Sequence, residues 1–483
     1  MMKMQNKNRE MTQKRVLAED APKLINEEIK LSGWIQTIRS HGKIIFADLR
    51  DASGLIQIVF LPSNSEITEI ANKIHPEWVV EITGKVNKRP ENMINSTLPT
   101  GEVEVEVESL SVLSESKPLP FSIETSGVEI NEEVRLKYRY LDLRRERLVK
   151  NMKKRFETLL FFRNELSKRG FTEIETPILT KSTPEGARDF LVPSRFYAGE
   201  FYALPQSPQQ YKQLLMVAGL EKYFQIAKCF RDEDSRANRQ AEFTQLDIET
   251  SFMSQEEIMG LVEELVIKTV TQIFPEKKIL QKPFPVMSYQ EAMDQHGIDK
   301  PDIRKEKSDN DELAFLWVVD FPMFEWSQTE KKWGSMHHPF TMPKETDPDK
   351  IRENPQAVTA FQYDLVLNGE EIGGGSLRSY RREILETVFE ILGHEQDQIR
   401  AKFGHLLDSF EYGVPPHGGI ALGFERFISI LLKEENIREV IAFPKAGGSR
   451  DLMMNAPAQV EKDQLRELYL KIEINGKKNE KKD

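Results

Sequence analysis

A run of strict alternation near the start of the chain does most to limit the fold of its first part. From Glu102 to Glu108, glutamate and valine alternate without interruption, so that Val103, Val105 and Val107 share one face. Successive side chains of a strand point to opposite sides, whereas a helix would scatter these valines around its axis. The segment therefore predicts a β-strand with one buried and one polar face.

Four more strand-like segments and one helical segment lie upstream of this strand. The series begins at residue 29 and runs IKLSGWIQTI, KIIFADLRD, LIQIVFLP, SEITEIANKI and EWVVEITGKV, of which the fourth has helical spacing. Three strands, a helix and two strands favour a five-stranded oligonucleotide-binding barrel, the OB-fold, as the domain of residues 1–113. An unrelated small β domain is the alternative that this pattern leaves open.

The remaining residues are too many for the same core and predict a second domain. At 483 residues, the chain exceeds the length at which a single hydrophobic core stops growing. Proline and serine mark 114–145 as a linker, and apolar residues at helical spacing predict a long helix from Glu146 to Arg169. Later strands and helices do not alternate regularly, which favours an antiparallel α+β domain over 146–470. The lysine-rich tail, 471–483, is predicted to be disordered.

Composition excludes several classes of protein. The single cysteine, Cys229, excludes an internal disulfide and a cysteine-rich zinc site, which suits a reducing compartment. There is neither an apolar run of about 18 residues nor a secretory leader, so we expect a cytoplasmic protein outside the membrane. A net charge of −11 argues against coating nucleic acid indiscriminately, but it allows a local basic surface for one RNA.

The segment CFRDEDSRANRQAEFTQLDIETSF, residues 229–252, concentrates both signs of charge. Its ends are strand-like, which predicts two antiparallel strands joined by a polar loop. Alternation in the second strand places Leu246 and Ile248 on one face and Asp247 and Glu249 on the other. Two interpretations remain open: a solvated hairpin with surface ion pairs, or a site that holds an anion and a cation together.

A second candidate site lies in FQYDLVLNGEEIGGGSLR. Asn368-Gly369 predicts a two-residue hairpin turn, which makes Asp364 and Glu371 diagonal cross-strand neighbours about 7–8 Å apart at the backbone. Two such carboxylates would repel unless a cation lay between them, and Mg²⁺ carrying phosphates is a good candidate. Two independent surface acids are the alternative. The glycines 373–375 suggest close approach of a ligand.

A third segment, GGIALGFERFISILL, leads from a glycine-broken strand into an apolar helix. Arg426 falls in the first helical turn, where a cation opposes the helix dipole unless it faces an anion such as a triphosphate. A surface arginine tolerated at small cost is the alternative. The pair His337-His338 has no obvious third metal ligand, so we expect these histidines to orient a substrate.

These segments resemble the three signature motifs of class II aminoacyl-tRNA synthetases. FTEIETPIL, with Pro177, is similar to the first motif, FRDE followed by RQAEFTQLDIE to the second, and GFERF to the third. Further segments, from TPEGARDFLVPSR and ALPQSPQQYKQLLM to FPKAGGSRDLM, are similar to the bacterial-type aspartyl-tRNA synthetases across nearly the whole chain.

The resemblance implies an N-terminal anticodon-binding OB-fold and a catalytic domain built on an antiparallel sheet. It implies activation of L-aspartate with ATP and Mg²⁺, then transfer of the aspartyl group to the terminal adenosine of tRNA-Asp. A homodimer with Pro177 and the preceding helix at its interface is also implied. A sister enzyme for asparagine or lysine, an amide-forming ligase of the same fold and a non-catalytic RNA-binding relative are the alternatives.

The resemblance also assigns roles to individual residues. Two arginines would be catalytic, Arg231 and Arg426. Aspartate would be bound by Glu185, Gln209, Lys212, Arg231, Asp247, His337 and Arg378. ATP would be bound by Arg231, Asp232, Glu233, Gln240, Glu371, Gly423, Phe424, Glu425 and Arg426. Mg²⁺ would be held by Asp364 and Glu371. The anticodon would be read by Arg39, His41, Phe46 and Gln57.

Two features bear on how this chain differs within the family. Bacterial members carry a large insertion between the second and third motifs, and here only a short connection near 295–315 takes its place. His41 falls where members that also charge tRNA-Asn tend to carry histidine. We therefore hold relaxed specificity for tRNA-Asp and tRNA-Asn as a hypothesis.

Overall fold

The computed structural model describes residues 14–182, 186–234, 236–329 and 331–473. The chain divides into two compact units between Ser122 and Ile123, inside the segment predicted as a linker. Residues 474–483 of the predicted disordered tail lie outside the described residues. In the described part of the chain, no helix is long and apolar enough to cross a membrane.

The first unit is the five-stranded closed barrel that the alternating pattern predicts. Its elements are β1 (Glu28–His41), β2 (Ile44–Arg50), β3 (Leu55–Phe60), α1 (Ser65–Ala71), β4 (Val79–Lys88) and β5 (Val103–Ser114). The strands close in the order β1-β2-β3-β5-β4, and all neighbours are antiparallel except β3 and β5. The predicted three strands, helix and two strands are confirmed.

Alternation determines which side chains fill the barrel. Val103, Val105 and Val107 of β5 are buried in its core, while the glutamates between them point outward. The helix α1 begins where the Asn64 side chain accepts a hydrogen bond from the Ile67 backbone, and it packs Ile67 against the same core. Because the other face of β5 consists of glutamates, only its valine face can pack into the barrel core.

The second unit is built on an eight-stranded sheet. The unit has fourteen strands in its described residues, eight in this sheet and six in three two-stranded sheets. They are β6 (Thr172–Glu173), β7 (Leu191–Pro193), β8 (Phe201–Ala203), β9 (Lys222–Phe230), β10 (Glu242–Ser251), β11 (Lys278–Ile279), β12 (Val286–Ser288), β13 (Glu312–Leu313), β14 (Phe315–Val319), β15 (Phe324–Ser327), β16 (Lys332–Ser335), β17 (Gln362–Leu367), β18 (Glu370–Leu377) and β19 (His417–Gly423). The order is β12-β14-β17-β18-β19-β10-β9-β6. The six central strands are antiparallel, as predicted, and only the two edge strands pair in parallel.

Eleven α-helices accompany this sheet in the described residues. They are α2 (Glu132–Lys137), α3 (Arg139–Asp142), α4 (Glu146–Lys168), α5 (Gln209–Val217), α6 (Gln255–Ile273), α7 (Tyr289–His296), α8 (Pro348–Glu353), α9 (Arg382–Ile391), α10 (Gln396–Ser409), α11 (Phe424–Leu431) and α12 (Lys462–Glu467). Between α7 and β13, residues 297–311 form neither helix nor strand. This stretch falls within the predicted short connection.

One face of the sheet is buried under α4, α6 and α11. Phe162 and Leu166 of α4 and Val262 and Leu265 of α6 share a core cluster with Leu246 of β10. The predicted helix from 146 to 169 is therefore confirmed within one residue. Its apolar stripe is only partly buried, because 64% of Phe156 and 43% of Leu160 remain exposed.

A buried ion network fastens α2 and α3 to the segment after α11. Arg135 donates to Glu439 over 2.7 Å, and Arg139 and Arg145 both bind Asp142, over 2.8 and 2.6 Å. Arg139 also donates to three backbone carbonyls between residues 438 and 442. These bonds hold the backbone next to Ile437, a residue that lines one of the cavities described below.

Candidate active site

The charged segment 229–252 forms the centre of the sheet. Phe230 at the end of β9 pairs with Glu242 at the start of β10, so the polar loop between them crosses one end of the sheet. Leu246 and Ile248 point into the core, as predicted. Asp247 and Glu249 on the opposite face are 0% exposed, so the solvated-hairpin interpretation is wrong for this part of the segment.

These two carboxylates belong to a buried cluster of four charges. Lys212 of α5 lies 2.7 Å from Asp247 and 3.4 Å from Glu249. Arg378, just after β18, donates to both Glu249 oxygens over 2.9 and 3.0 Å. Sequence analysis assigned no role to Glu249, although its position two residues after Asp247 on the same strand face was the available signal.

Burial and pairing act oppositely on the two acids. Burial raises the pKa of Asp247, and the attraction of Lys212 does not fully offset it. Burial also raises the pKa of Glu249, but Arg378 and Lys212 together bring it below its usual value. Glu249 is bound directly by Arg378 with Lys212 close by, whereas Asp247 is bound directly by Lys212 and the nearby negative charge of Glu249 raises its pKa further.

A cavity of about 200 Å³ opens above this cluster. Of the residues predicted to bind aspartate, five line it: Gln209, Lys212, Arg231, His337 and Arg378. Asp247 lies directly behind Lys212. Glu185, the remaining predicted residue, lies outside the described residues. Five of the seven residues predicted to bind aspartate therefore lie together at this wall.

The two histidines have different neighbours. His338 accepts a hydrogen bond from Arg378 at Nε2 over 2.7 Å, and its Nδ1 lies 3.3 Å from the Thr341 hydroxyl. Burial, helped by nearby cations including Arg378 and Lys212, lowers the pKa of His337 to about 3 and that of His338 well below its usual value. Both rings are neutral near pH 7. Among the described residues, no group of three His, Cys, Asp or Glu side chains could hold a metal ion.

A second cavity, of about 180 Å³, adjoins the first. Of the residues predicted to bind ATP, seven line it: Arg231, Glu233, Gln240, Glu371, Gly423, Glu425 and Arg426. Sequence reasoning missed Asn238 and Phe243, which also line it. Arg231 belongs to both cavities, with its guanidinium 5.1 Å from the centre of the Phe243 ring. Its buried Nε has no hydrogen-bond partner among the described residues.

The other predicted ATP residues occupy different places. Phe424 is buried in the core against Phe162, with ring centres 6.0 Å apart, and does not line the cavity. Asp232 does not line it either, and its backbone N–H donates to the carbonyl of Arg188. A residue at the start of an amphipathic helix can point either way, and the sequence does not show which face the sheet covers.

Two lining residues are held by the protein itself. The Glu425 carboxylate accepts from Arg155 over 2.8 Å and from the Thr244 backbone over 2.9 Å. Arg426 donates to the carbonyl oxygens of Glu371 and Asn238, over 2.6 and 3.3 Å. These bonds place the Arg426 guanidinium at the cavity wall despite the unfavourable helix dipole.

The acidic pair Asp364 and Glu371 lies on the predicted hairpin. Val366 pairs with Glu371 as expected, and a bulge at Ile372 then brings Gly374 opposite Asp364. Asp364 Oδ1 and Glu371 Oε1 lie 3.2 and 3.6 Å from the point where a Cβ atom would project from Gly374. Burial and the negative charge of Glu371 raise the pKa of Asp364 well above its usual value. The two acids therefore converge, which the interpretation as independent surface acids did not expect.

The neighbouring glycines serve packing as well as access. A Cβ at Gly373 would lie 2.4 Å from Leu422, and one at Gly375 would lie 2.4 Å from the Tyr363 ring. Only Gly374 faces the carboxylates and His337. Gly373 lines the nucleotide-side cavity described above and Gly374 the amino-acid-side cavity, so two of the three glycines lie at a cavity wall.

The barrel residues predicted to read an anticodon lie on its outer face. Arg39 pairs with Phe46 across β1 and β2, and its guanidinium lies 3.4 Å from Gln57 Oε1. Phe46 is not part of the barrel core, contrary to the alternative of a core phenylalanine. His41 is exposed at the end of β1.

Comparisons with known proteins agree with this architecture. A family described as tRNA synthetases class II (D, K and N) matches residues 131–447, and an OB-fold nucleic acid binding domain matches residues 29–113. The asparaginyl-tRNA synthetase of Pyrococcus horikoshii, solved with asparaginyl-adenylate, has a TM-score of 0.72 at 26% identity and covers 91% of this chain and 99% of its own.

Two curated relatives are closer in sequence. The aspartate–tRNA(Asp/Asn) ligase of Dictyoglomus turgidum is 42% identical over 584 aligned positions, covering 95% of this chain and 98% of the relative. The aspartate–tRNA ligase of Lysinibacillus sphaericus is 41% identical, covering 93% and 97%. The first alignment is longer than the 483 residues of this chain, so the relative has residues that this chain lacks. Because the family match spans more than half of its length, the chain belongs to the class II tRNA synthetases of the D, K and N group.

Proposed function

We propose that this enzyme is an aspartate–tRNA ligase that activates L-aspartate with ATP and transfers it to the 3′ end of tRNA-Asp. The observation that carries the proposal is the charge balance of the first cavity. Lys212, Arg231 and Arg378 contribute three positive charges, and Asp247 and Glu249 contribute two negative charges. Glu371 lines the same cavity, but its charge and that of Asp364 would be balanced by the Mg²⁺ proposed below. Without that pair the remaining charge is 3 − 2 = +1, which the net −1 of aspartate neutralises.

The same balance weighs against the neighbouring substrates. Asparagine has no net charge and would leave the buried +1 uncompensated, while lysine would raise it to +2. An uncompensated buried charge is costly, so the cavity favours an amino acid with an acidic side chain. The OB-fold domain argues against a small-molecule amide-forming ligase, because such an enzyme has no RNA to read. Asparagine activation remains the second candidate, since a solved relative of 26% identity carries asparaginyl-adenylate.

In this proposal, Arg231 is the group shared by both substrates. It would contact the amino-acid carboxylate from one cavity and the α-phosphate from the other. Gln209 and Asp247 would bind the ammonium group of the amino acid. Glu233, Gln240 and Arg426 would bind the nucleotide. Attack by the substrate carboxylate needs no protein nucleophile, so catalysis consists of alignment and charge stabilisation.

Asp364 and Glu371 fit a magnesium site. Their convergent oxygens and mutual repulsion suit a divalent cation, and Mg²⁺ takes one or two carboxylates together with phosphate oxygens. When bound, the ion would supply positive charge to the phosphates of ATP. The protein's part is to hold the two carboxylates beside Gly374, where no side chain occupies the space.

We place RNA recognition on the outer face of the barrel. Phe46 would stack on an unpaired base, Gln57 would hydrogen-bond one, and Arg39 would add charge. The Dictyoglomus turgidum relative is named for both tRNA-Asp and tRNA-Asn, and we extend that pair of substrates to this chain as a proposal. His41 lies exposed at the end of β1, where it could take part.

The proposal also includes a cytoplasmic homodimer. Phe156 and Leu160 lie one turn apart on α4 and expose large apolar surfaces, and Pro177 is exposed further along the chain. A second copy that covered these side chains would remove them from water. The single cysteine agrees with a reducing compartment.

Aminoacylation of purified RNA tests the proposal. Labelled aspartate, ATP and Mg²⁺ are incubated with tRNA-Asp and, separately, with tRNA-Asn. Charging of tRNA-Asp is expected, and charging of tRNA-Asn decides the wider specificity. If an active preparation attaches asparagine but not aspartate to RNA, the second candidate replaces the first.

A further inference from the structure

A relay of three hydrogen bonds leads from the amino-acid cavity into the protein interior. Gln209 lines the cavity, and its Nε2 donates over 3.1 Å to Oε1 of Gln213, one turn further along α5. Nε2 of Gln213 lies 3.1 Å from Nε2 of His417, at the start of β19. Nδ1 of His417 lies 2.8 Å from the carbonyl oxygen of Pro415. Gln213, His417 and Pro415 do not line the cavity, so the relay runs behind its wall.

The Pro415 carbonyl at the inner end fixes the direction of the whole relay. A carbonyl oxygen can only accept a hydrogen bond, so Nδ1 of His417 is protonated and donates to it. In a neutral imidazole the other ring nitrogen is then an acceptor. Nε2 of His417 therefore accepts from the Gln213 amide nitrogen, which leaves only the Gln213 oxygen to face Gln209.

The surroundings of His417 keep its ring neutral. Burial lowers the pKa of His417, and the nearby cations Arg378 and Lys212 act in the same direction. The Glu249 carboxylate and the hydrogen bond to the Pro415 carbonyl oppose this shift without cancelling it. Near pH 7 the ring therefore has one donor and one acceptor, as the direction of the relay requires.

This direction leaves one atom of Gln209 for a ligand. Because the Gln213 oxygen only accepts, Gln209 must turn its own amide nitrogen inward. Oε1 of Gln209 has no hydrogen-bond partner among the described residues, and it keeps accessible surface at the cavity wall. An acceptor in this place suits a ligand group that only donates, such as an ammonium.

We propose that Gln213 and His417 are positioning residues that hold the Gln209 amide with its oxygen toward the ammonium of the amino acid. This role rests on the proposed function, in which Gln209 binds that ammonium. Neither positioning residue touches the substrate, and both act through Gln209. Without the relay, the Gln209 amide would be free to turn and present a second donor to a group that only donates.

Comparison of aspartate with succinate tests the proposal, because succinate is aspartate without its ammonium. The KM for aspartate and the inhibition constant of succinate are measured by aspartate-dependent pyrophosphate exchange in the wild type and Gln213→Leu. The KM for aspartate should rise about 3- to 10-fold in the variant, as for the loss of one hydrogen bond, while the succinate constant should not change. The ammonium takes no part in the reaction, so kcat should stay near the wild-type value.

Two further comparisons keep the result interpretable. Thr250→Val is the matched control, because it removes a buried hydrogen bond to the Gly418 carbonyl, next to His417, and leaves the relay intact. It should alter neither constant. If Gln213→Leu proves unstable, His417→Leu removes the next acceptor of the relay and should raise the KM for aspartate alone. His417→Gln, whose amide oxygen can accept in place of Nε2, should restore most of the affinity.

The outcomes distinguish the positioning role from the proposed function. If Gln213→Leu weakens aspartate and succinate by the same factor, the relay serves packing only, and the positioning role is wrong. Unaltered constants for both ligands would show that Gln209 does not depend on Gln213, which overturns it as well. If the wild type activates asparagine and not aspartate, the proposed function fails instead. Comparison of asparagine with succinamate, which lacks the same ammonium, then tests the relay in the same variants.

Discussion

The catalytic sheet and the barrel use the same kinds of polar side chain in opposite surroundings. In the sheet, Lys212 and Arg378 meet Asp247 and Glu249 with no more than 2% of any of these side chains exposed. On the barrel, Arg39 approaches Asp48 at 3.4 Å, but 60% of the arginine side chain is exposed. Charge at one site is fixed before a substrate arrives, whereas at the other it is free to rearrange.

The physical difference lies in desolvation. Buried ions lose their hydration and depend on one another, so removing one member leaves an uncompensated charge in a poorly solvated place. An exposed pair keeps most of its hydration and contributes about 0–1 kcal/mol. Fixed charges suit a reaction that needs aligned phosphates, while mobile ones suit an RNA surface that must fit several bases.

The largest expected effect is on stability at the sheet. Glu249→Ala leaves Arg378 and Lys212 without their shared carboxylate and should lower the free energy of unfolding by about 3–5 kcal/mol. Urea denaturation of the wild type and the variant measures this loss of unfolding free energy. The control is Glu383→Ala, which removes an exposed partner of Arg381 and should cost less than about 1 kcal/mol. Equal losses of unfolding free energy in the two variants would contradict the difference between buried and exposed ion pairs.

Replacement of Arg231 should have a nearly equal effect, on catalysis rather than on stability. Arg231→Ala removes the donor shared by the two cavities and should reduce aspartate-dependent pyrophosphate exchange by about 10²–10³-fold. The fold should survive, since the buried Nε of Arg231 has no hydrogen-bond partner in the described chain. Near-normal exchange in a folded Arg231→Ala protein would remove this residue from the mechanism.

A smaller effect is expected in how the ion network around Glu439 changes the free energy of unfolding at acid pH. Burial raises the pKa of Glu439, but Arg135, Arg139 and Arg147 bring it below its usual value. The stabilisation is therefore present above the unfolded pKa of about 4.3 and is lost as the pH falls through the lower folded value, by about 1.4 kcal/mol per pKa unit.

The unfolding free energies of the wild type and Glu439→Gln should thus converge as the pH is lowered below about 4.3. Denaturant titrations over this range test the convergence. Glu69→Gln is the exposed comparison, because Glu69 pairs with Lys73 over 2.9 Å with both side chains more than two-thirds exposed. It should alter stability much less than Glu439→Gln at neutral pH, because the exposed pair is screened by solvent. A constant gap between wild type and Glu439→Gln at all pH values would contradict the assignment.

The smallest effect on stability is expected on the barrel. Arg39→Ala should change the free energy of unfolding by less than about 1 kcal/mol, because its ion pair is exposed. Its affinity for tRNA-Asp should nevertheless fall, and the salt dependence of binding should become shallower by up to about one phosphate contact. Filter binding over a range of salt measures both. If the affinity for tRNA-Asp and its salt dependence are both unaltered, Arg39 takes no part in RNA recognition.

Local sequence patterns predicted much of this architecture. The alternation of 102–108, the Asn368-Gly369 turn and the face shared by Leu246 and Ile248 all follow from strand periodicity, which is a local property. The register that pairs Val366 with Glu371 followed from the turn alone. The antiparallel sheet could be expected because no regular alternation of strands and helices was present.

The remaining features depend on which face is covered, and local patterns do not show this. Asp247 and Glu249 have the sequence pattern of a solvated strand face, yet Lys212 and Arg378 bury them from distant parts of the chain. Phe424 appeared beside the motif arginine but belongs to the core. Its orientation follows from how α11 packs on the sheet.

The central claim is that the buried charges select an acidic amino acid, and amino-acid-dependent ATP–pyrophosphate exchange tests it most directly. The wild-type enzyme is assayed with aspartate, asparagine and lysine, and kcat/KM is compared for each. If the cavity's net charge of +1 governs selection, aspartate should exceed both others by at least about 10²-fold, since an uncompensated buried charge costs several kcal/mol. Equal kcat/KM for asparagine and aspartate would contradict the account.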